Sequence, residues 1–239
     1  MSGHSKWAQI KRGKAVLDQK KGQLFSKLAR EITIAAKGGA DPAMNFKLRM
    51  VMDKAKAASM PNENVQRAIR RGTGEDGGAA IEEIIYEGYG PFGTAFLVET
   101  ATDNKNRTVN EIKNVFHKHG GNLGTAGSVA WQFVTRGQIL VERGGRDDLT
   151  DIELAAIDAG AEDVRESPEG LEIYTAPLDL NSVKDKVAAA GGKIAQGHII
   201  KESTQGVELS ADQKPAVDAL FAALEDHDDV IGVHTSANL

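Results

Sequence analysis

Lysine and arginine crowd the first third of the chain: Lys6, Lys11, Arg12, Lys14, Lys20, Lys21, Lys27 and Arg30, then Lys47, Arg49, Lys54 and Lys56, then Arg67, Arg70 and Arg71. Up to Gly74, ten Lys and six Arg stand against five acids, an excess of +11. The rest holds 13 cations against 29 acids, or −16, so the overall −5 averages a basic module and an acidic body. Such a set can bind phosphate. A nucleic-acid backbone is gripped through charge density and counter-ion release rather than through fixed geometry, and charge asymmetry of this kind points to a nucleic-acid or anionic-surface partner. Trp7 is the one large aromatic among the first cations, suited to stacking on a base or to pinning the arm to the helices.

Other residue groups support less chemistry. Tyr86-Glu87-Gly88-Tyr89-Gly90-Pro91 is a dense turn with two aromatics. Thr102-Asp103-Asn104-Lys105-Asn106-Arg107-Thr108 leads into a helix start flanked by two cations. Free amides beside cations suit a phosphate or carboxylate, which makes Tyr86, Tyr89, Asn104, Lys105 and Arg107 candidate secondary anion or partner contacts. A plain turn and a well-capped helix is the alternative. Gly72-Thr73-Gly74-Glu75-Asp76-Gly77 fits GxGxxG, but it follows a helix and precedes a strand, and its two acids would repel a pyrophosphate. His117 and His119 point to different sides of a helix end. Glu225-Asp226-His227-Asp228-Asp229 resembles a metal site only in composition and reads as a solvated helix end. Ser128 lacks the nucleophile elbow. No nucleophile, base and orienter assemble, so the expectation is a non-enzyme without catalytic, cofactor-binding or metal residues. The absence of Cys removes disulfides, thiolate catalysis and Cys-based metal sites.

The elements that must carry these residues change character along the chain. Residues 1–18 are polar, basic and aperiodic, an arm. Leu24, Leu28, Ile32 and Ala35 mark a helix of about 18 residues stopped by Gly38-Gly39. Asp41-Pro42 offers a second helix start, with Met44, Leu48, Val51 and Ala55 as its stripe. Val65, Ala68 and Ile69 mark a third helix ending at Gly72. Beyond a glycine linker at 72–78 the pattern alternates: strands at 82–88 and 94–102, a helix from about 109 opened by Thr108-x-x-Glu111, and a strand around 128–134. From 137 the order is strand (138–142), helix opened by Thr150-x-x-Glu153, strands (161–166 and 171–175), helix (180–190) and strand (194–201), the βαββαβ order of ferredoxin-like folds. Ser210-x-x-Gln213 opens a last helix to about 226, and a strand follows at 230–235.

The predicted fold is a multidomain α+β protein: a three-helix orthogonal bundle (1–78), a discontinuous α/β domain (79–135 and 205–239), and a ferredoxin-like α/β domain (136–204) inserted in it. A linear division, 79–135 then 136–239, competes. No signal-peptide run and no stretch of roughly 20 apolar residues occurs, which sets the expectation of a soluble, cytoplasmic protein.

Several stretches resemble the YebC family. They are Gly-His-Ser-Lys-Trp (3–7) with Ile10-Lys11, Lys27-Leu28-Ala29-Arg30-Glu31-Ile32, Lys54-Ala55-Lys56, and Met60-Pro61 with Arg67-Ala68-Ile69. Tyr-Glu-Gly-Tyr-Gly-Pro (86–91), Thr102-Asp103-Asn104 with Asn106-Arg107-Thr108, and Gly120-Gly121-Asn122-Leu123-Gly124 before Gly127-Ser128-Val129 continue it, in order and across the whole chain. Positions 13–19 and 75–78 depart most. The resemblance implies a helical first domain, two ferredoxin-like domains and a non-enzymatic regulator of gene expression, described in bacteria as DNA-binding and transcriptional. It equally implies kinship with the mitochondrial translational activators of cytochrome c oxidase subunit I and with factors acting on ribosomes stalled at proline-rich sequences. The start at the motif without a transit leader fits a bacterial cytoplasmic member. Partners expected on this basis are DNA or ribosomal RNA, with the ribosome itself as one possibility. A ligand-sensing or protein-interaction module is the remaining class.

Overall fold

The computed structural model describes residues 21–77 and 80–238. These form two compact units, one of 21–77, 80–131 and 207–237 and the other of 132–206 with 238.

The first unit opens with three helices, α1 (Lys21–Ala36), α2 (Phe46–Ala57) and α3 (Asn62–Thr73). The predicted apolar stripes become one core, in which Leu28, Ile32, Ala35, Leu48, Ala55, Val65, Ala68 and Ile69 are buried. Two boundaries differ from the sequence reading. Asp41-Pro42 starts a turn, with the Asp41 carboxylate accepting from Ala43 N–H at 2.8 Å. Helix α2 begins four residues later because the side chain of Asn45 does the capping: its oxygen accepts from Leu48 N–H at 3.1 Å, and its amide donates to the carbonyls of Ala35 (2.7 Å) and Gly39 (2.8 Å). Met44 thereby falls outside the helix and is 88% exposed instead of packing. Gly72 does not end α3; Gly74 does, in a left-handed cap at φ 83°. Gly72 is instead the crossing point with α1, where a Cβ would sit 2.4 Å from the Thr33 carbonyl oxygen and 2.6 Å from Ala36 Cβ.

Four antiparallel strands follow in the same unit: β1 (Glu82–Tyr89), β2 (Ala95–Thr102), β3 (Asn122–Leu123) and, from the end of the chain, β8 (Val230–Thr235). Their order is β3-β1-β2-β8. Helices α4 (Lys105–Lys118) and α7 (Lys214–Glu225) pack on this sheet. Phe116 of α4 meets Phe96 of β2 edge-to-face at 6.0 Å. The chain thus leaves the sheet after β3 and returns to place β8 beside β2. The strand expected around 128–134 does not form. The short β3 takes its place at the sheet edge, and 124–131 is a loop whose amides are captured by Glu87. Phe133 already belongs to the next sheet, pairing with Ser203.

The second unit holds β4 (Phe133–Glu142), α5 (Thr150–Asp158), β5 (Asp163–Ser167), β6 (Gly170–Thr175), α6 (Leu180–Ala189) and β7 (Lys193–Ser203). Its antiparallel sheet runs β5-β6-β4-β7, the order that a ferredoxin-like βαββαβ chain produces. Ile139, Leu171, Ile173, Val183 and Val187 form its core. Glu172 and Tyr174, both fully buried, alternate out of that core on β6. The Tyr174 hydroxyl donates to Glu172 at 2.8 Å, and Arg165 lies 4.3 Å over the Tyr174 ring while pairing with Glu202 at 2.9 Å.

The predicted capping boxes are replaced by nearby caps. Asn104 caps α4, and Thr108 lies buried inside it. Asp148 accepts from Thr150 N–H at 2.8 Å ahead of α5. Only the Ser210–Gln213 pair keeps half of its box, Ser210 N–H donating to the Gln213 side chain at 3.1 Å.

The close α1–α3 crossing is testable. Gly72→Val should destabilise the protein by about 1–3 kcal/mol through overpacking against backbone, read as a lower midpoint in urea unfolding. Gly74→Ala should cost less, since only its left-handed cap is strained and nothing lies within 4 Å of its Cβ position.

Candidate nucleic-acid interface

The structure sorts the predicted phosphate-binding cations into three groups. Lys6, Trp7, Lys11, Arg12, Lys14 and Lys20 lie outside the described residues. Lys47, Arg49 and Lys56 project from α2 into solvent, and Lys21 does so from the first turn of α1. Among the described residues these four have no acidic partner; Arg49 only leans over the Phe46 ring, 5.9 Å from its centroid. The remaining cations are engaged within the chain. Lys54 pairs with Glu31 at 3.0 Å, Arg67 with Glu63 at 3.2 Å, Arg70 with Asp76 at 3.1 Å and Arg71 with Asp103 at 3.9 Å. These last pairs are largely exposed, worth about 0–1 kcal/mol each, and a phosphate can displace the acid.

Lys27 and Arg30 are committed more deeply. Both face the end of α7 and the turn after it, where Lys27 donates to the Glu225 carbonyl and Arg30 to that of Asp228. Burial lowers the pKa of Lys27 against the opposing pull of Glu225, Asp226 and Asp228. Arg30 also reaches the Asp229 carboxylate at 3.0 Å. These two cations therefore fasten α1 to the sheet.

Asp229 is the centre that sequence reading missed. Its side chain is 2% exposed and accepts from Arg107 at 2.8 Å and from the Thr108 hydroxyl at 2.6 Å, besides Arg30. Burial alone would raise its pKa, but the hydrogen bonds of Thr108 and Arg107 and the charge of Arg30 outweigh it and hold it below the ordinary carboxylate value. Next to it, His227 Nδ1 accepts from Asp229 N–H at 3.1 Å, so the neutral ring keeps its proton on Nε2, facing Glu111 at 3.0 Å. Arg30, Arg107, Glu111 and residues 226–229 border an open cleft of about 660 Å³. Glu111, His227 and Asp229 bring three ligand-type atoms within 4.8 Å of one another. Two guanidinium ions already neutralise Asp229, so the group is built as an ion-pair network, and a bound cation would have to work against both. The acidic run at 225–229 was the visible signal, but its partners lie more than a hundred residues away in sequence.

The proposed secondary contacts separate likewise. Asn104 caps α4 by accepting from Arg107 N–H at 3.1 Å, Lys105 pairs with Glu82 at 2.5 Å, and Arg107 is held by Asp229. This helix start is thus filled from within the chain. Tyr86 is half-buried on β1, and burial raises its pKa. Tyr89 stays 41% exposed at the sheet edge. Between the two tyrosines, Glu87 is buried and its carboxylate accepts from Gly127 (2.6 Å), Val129 (2.7 Å) and Ala130 (2.7 Å) amides. Burial would raise its pKa; the three amides prevail and lower it.

Exposed cationic helices joined to a sheet by a buried ion-pair network, with a second antiparallel sheet in a separate unit, define a multidomain α+β protein with a basic helical head. The chain belongs to the TACO1/YebC family: the N-terminal domain of that family matches residues 5–75, and its second and third domains match residues 81–237. It is 48% identical to a probable transcriptional regulatory protein of Thermoanaerobacter pseudethanolicus, over 100% of this chain and 98% of that one. It is 51% identical to a protein of the same description from Moorella thermoacetica, over 100% and 96%. The crystal structure of a conserved hypothetical protein from Aquifex aeolicus superposes with a TM-score of 0.83 at 41% identity, covering 93% of this chain and 92% of that one. A regulatory role is therefore the description its family carries.

The Asp229 network makes a pH prediction. Because the folded-state pKa of Asp229 lies below that of the unfolded chain, about 3.9, its stabilisation is complete above that value and is lost as pH falls through the folded one. Asp229→Asn should cost about 2–4 kcal/mol at neutral pH by leaving the arginines unmatched. It should also flatten the loss of stability below about pH 4. Urea unfolding across pH measures both.

Proposed function

We propose that this protein is a nucleic-acid-binding regulator of gene expression that performs no catalysis, a DNA-binding transcriptional regulator whose basic helical head grips the phosphate backbone. The observation that supports it most is the exposed set Lys47, Arg49 and Lys56 on α2, cations without acidic partners among the described residues of an otherwise acidic chain. The first residues add Lys6, Lys11, Arg12, Lys14 and Lys20 to the same charge in the sequence. The descriptions of the relatives support the regulatory part of the reading.

Ribosomal RNA is the competing target, with a role in translation. The same observation favours it, because Lys and Arg satisfy phosphate oxygens of either nucleic acid and read no base sequence by themselves. Cosedimentation with ribosomes set against gel shifts on promoter DNA, both at physiological salt, separates the two. Binding to DNA that survives competitor and ignores ribosomes excludes the translational role; the converse result excludes the transcriptional one.

Charge reversal tests the shared premise. Lys47→Glu, Arg49→Glu and Lys56→Glu together should weaken binding at least tenfold and lower the steepness of log K against log salt by about 1 for each phosphate no longer neutralised. If about five phosphates are neutralised, the wild-type protein should lose several hundredfold in affinity between 50 and 200 mM salt. Unchanged affinity and slope in the triple variant would move the function to the acidic body, as a ligand-sensing or protein-interaction module.

A further inference from the structure

The second sheet is buried on the face that its own helices do not touch. A Cβ at Gly137 would sit 3.0 Å from Leu180 Cβ, and one at Gly197 would sit 3.0 Å from Lys184 Cδ. Helix α6 therefore lies on the face that bears 137, 139 and 197, with α5 packed beside it. Alternation turns the neighbouring residues the opposite way. On that other face Gln138 stands opposite Tyr174 and Leu140 opposite Glu172. All four residues are at most 2% exposed. An antiparallel sheet with helices on one side commonly leaves its other side to water; here that side is covered.

The covered face is acidic. Arg165 pairs with Asp163 at 2.8 Å and with Glu202 at 2.9 Å. Arg136 pairs with Glu202 at 3.4 Å and Glu162 at 3.8 Å, and Lys193 with Glu142 at 2.5 Å. With Glu172, five carboxylates stand against three cations, each of which already faces another acid. Glu172 lies deepest: the Tyr174 hydroxyl donates to it at 2.8 Å, and the Gln138 amide donates to that hydroxyl at 3.3 Å. A carboxylate so far from water needs positive charge near it. The cover is therefore expected to be cationic, and apolar where it meets Leu140.

Residues 1–12 have that chemistry. They hold Lys6, Lys11 and Arg12 with no Asp or Glu, and Trp7 and Ile10 among their apolar side chains. Twenty residues precede α1, and such a length spans about 65–70 Å when extended, well beyond four strands spaced about 5 Å apart. A second copy stacked on this face by two-fold symmetry would instead set Glu172 against Glu172.

We propose that residues 1–12 of this chain lie across the second sheet as a cationic cover, with lysine or arginine toward Glu172 and apolar side chains over Leu140. The protein's own acids then hold these cations in the free state, and a phosphate backbone has to compete for them. The inference concerns the free protein and stands whether or not nucleic acid is its ligand.

Hydroxyl-radical footprinting read by mass spectrometry tests it on the full chain and on two variants. One variant lacks residues 2–12; the other carries Lys6→Glu, Lys11→Glu and Arg12→Glu together. Tyr174 and Leu140 should be protected in the full chain and lose that protection in both variants. Ile173, on the helix side of the same strand, should stay protected throughout, which shows that the unit remains folded. A peptide of residues 1–12 added to the truncated chain should restore protection of Tyr174. The chain has no cysteine, so crosslinking checks the same contact at full length. Ala8→Cys with Gln196→Cys, beside Leu140 on the covered face, should join within one molecule; Ala8→Cys with Ala188→Cys, on the outside of α6, should not. Tyr174 and Leu140 still protected in the truncated chain, or equal crosslinking of the two pairs, would overturn the proposal. Protection that instead rises with protein concentration would assign the face to a second copy and overturn it as well.

Discussion

One buried carboxylate decides how the first unit is assembled. Asp229 stands where the last strand enters the sheet, its backbone carbonyl accepting from Ala101 N–H at 2.8 Å and its side chain from Arg107, Thr108 and Arg30. A single residue thus joins β8 to β2, fixes the first turn of α4 and docks α1. A carboxylate removed from water is tolerated only when cations and donors replace its hydration. Here they come from two helices, and both must be in place for the site to be complete. His227 adds a further strut to Glu111, and Lys27 reaches the Glu225 carbonyl beside them. The acid-rich end of the chain and the cation-rich beginning are matched to each other at this point.

That match changes the meaning of the charge asymmetry. A count of +11 describes a polyelectrolyte, but the folded protein uses Lys27 and Arg30 for its own architecture and offsets Lys54, Arg67, Arg70 and Arg71 with nearby acids. The cations left facing solvent on α2 are fewer and more localised.

Glu87 plays for the β1 edge the part that Asp229 plays for the β8 side. Its three amide partners belong to a loop that would otherwise expose them, and by taking them it prevents residues 127–130 from pairing as a strand. Sheet extension stops at the two-residue β3, and Tyr89 and Trp131 remain at the surface. Both acids follow one rule: a buried charge, fully hydrogen-bonded, sets the local geometry and leaves other groups to face outward.

Periodicity made most of the architecture legible. The bounds of β1, β2 and β8 fell within a residue of those expected, the βαββαβ run marked the second sheet, and three-to-four spacing marked the helices because it follows directly from which side of a helix meets a core. Helix starts were less legible. Asn45, Asn104 and Asp148 displaced the expected caps at Asp41, Thr108 and Thr150, since neighbouring polar side chains compete for the same few amides and the winner depends on the surrounding fold. The family was legible from short motifs in order, and the basic end from a count of charges. Which cations stay outside and which acid is buried were settled only in three dimensions. Each depends on groups far apart in sequence, brought within hydrogen-bonding distance by packing, and no local pattern encodes that distance.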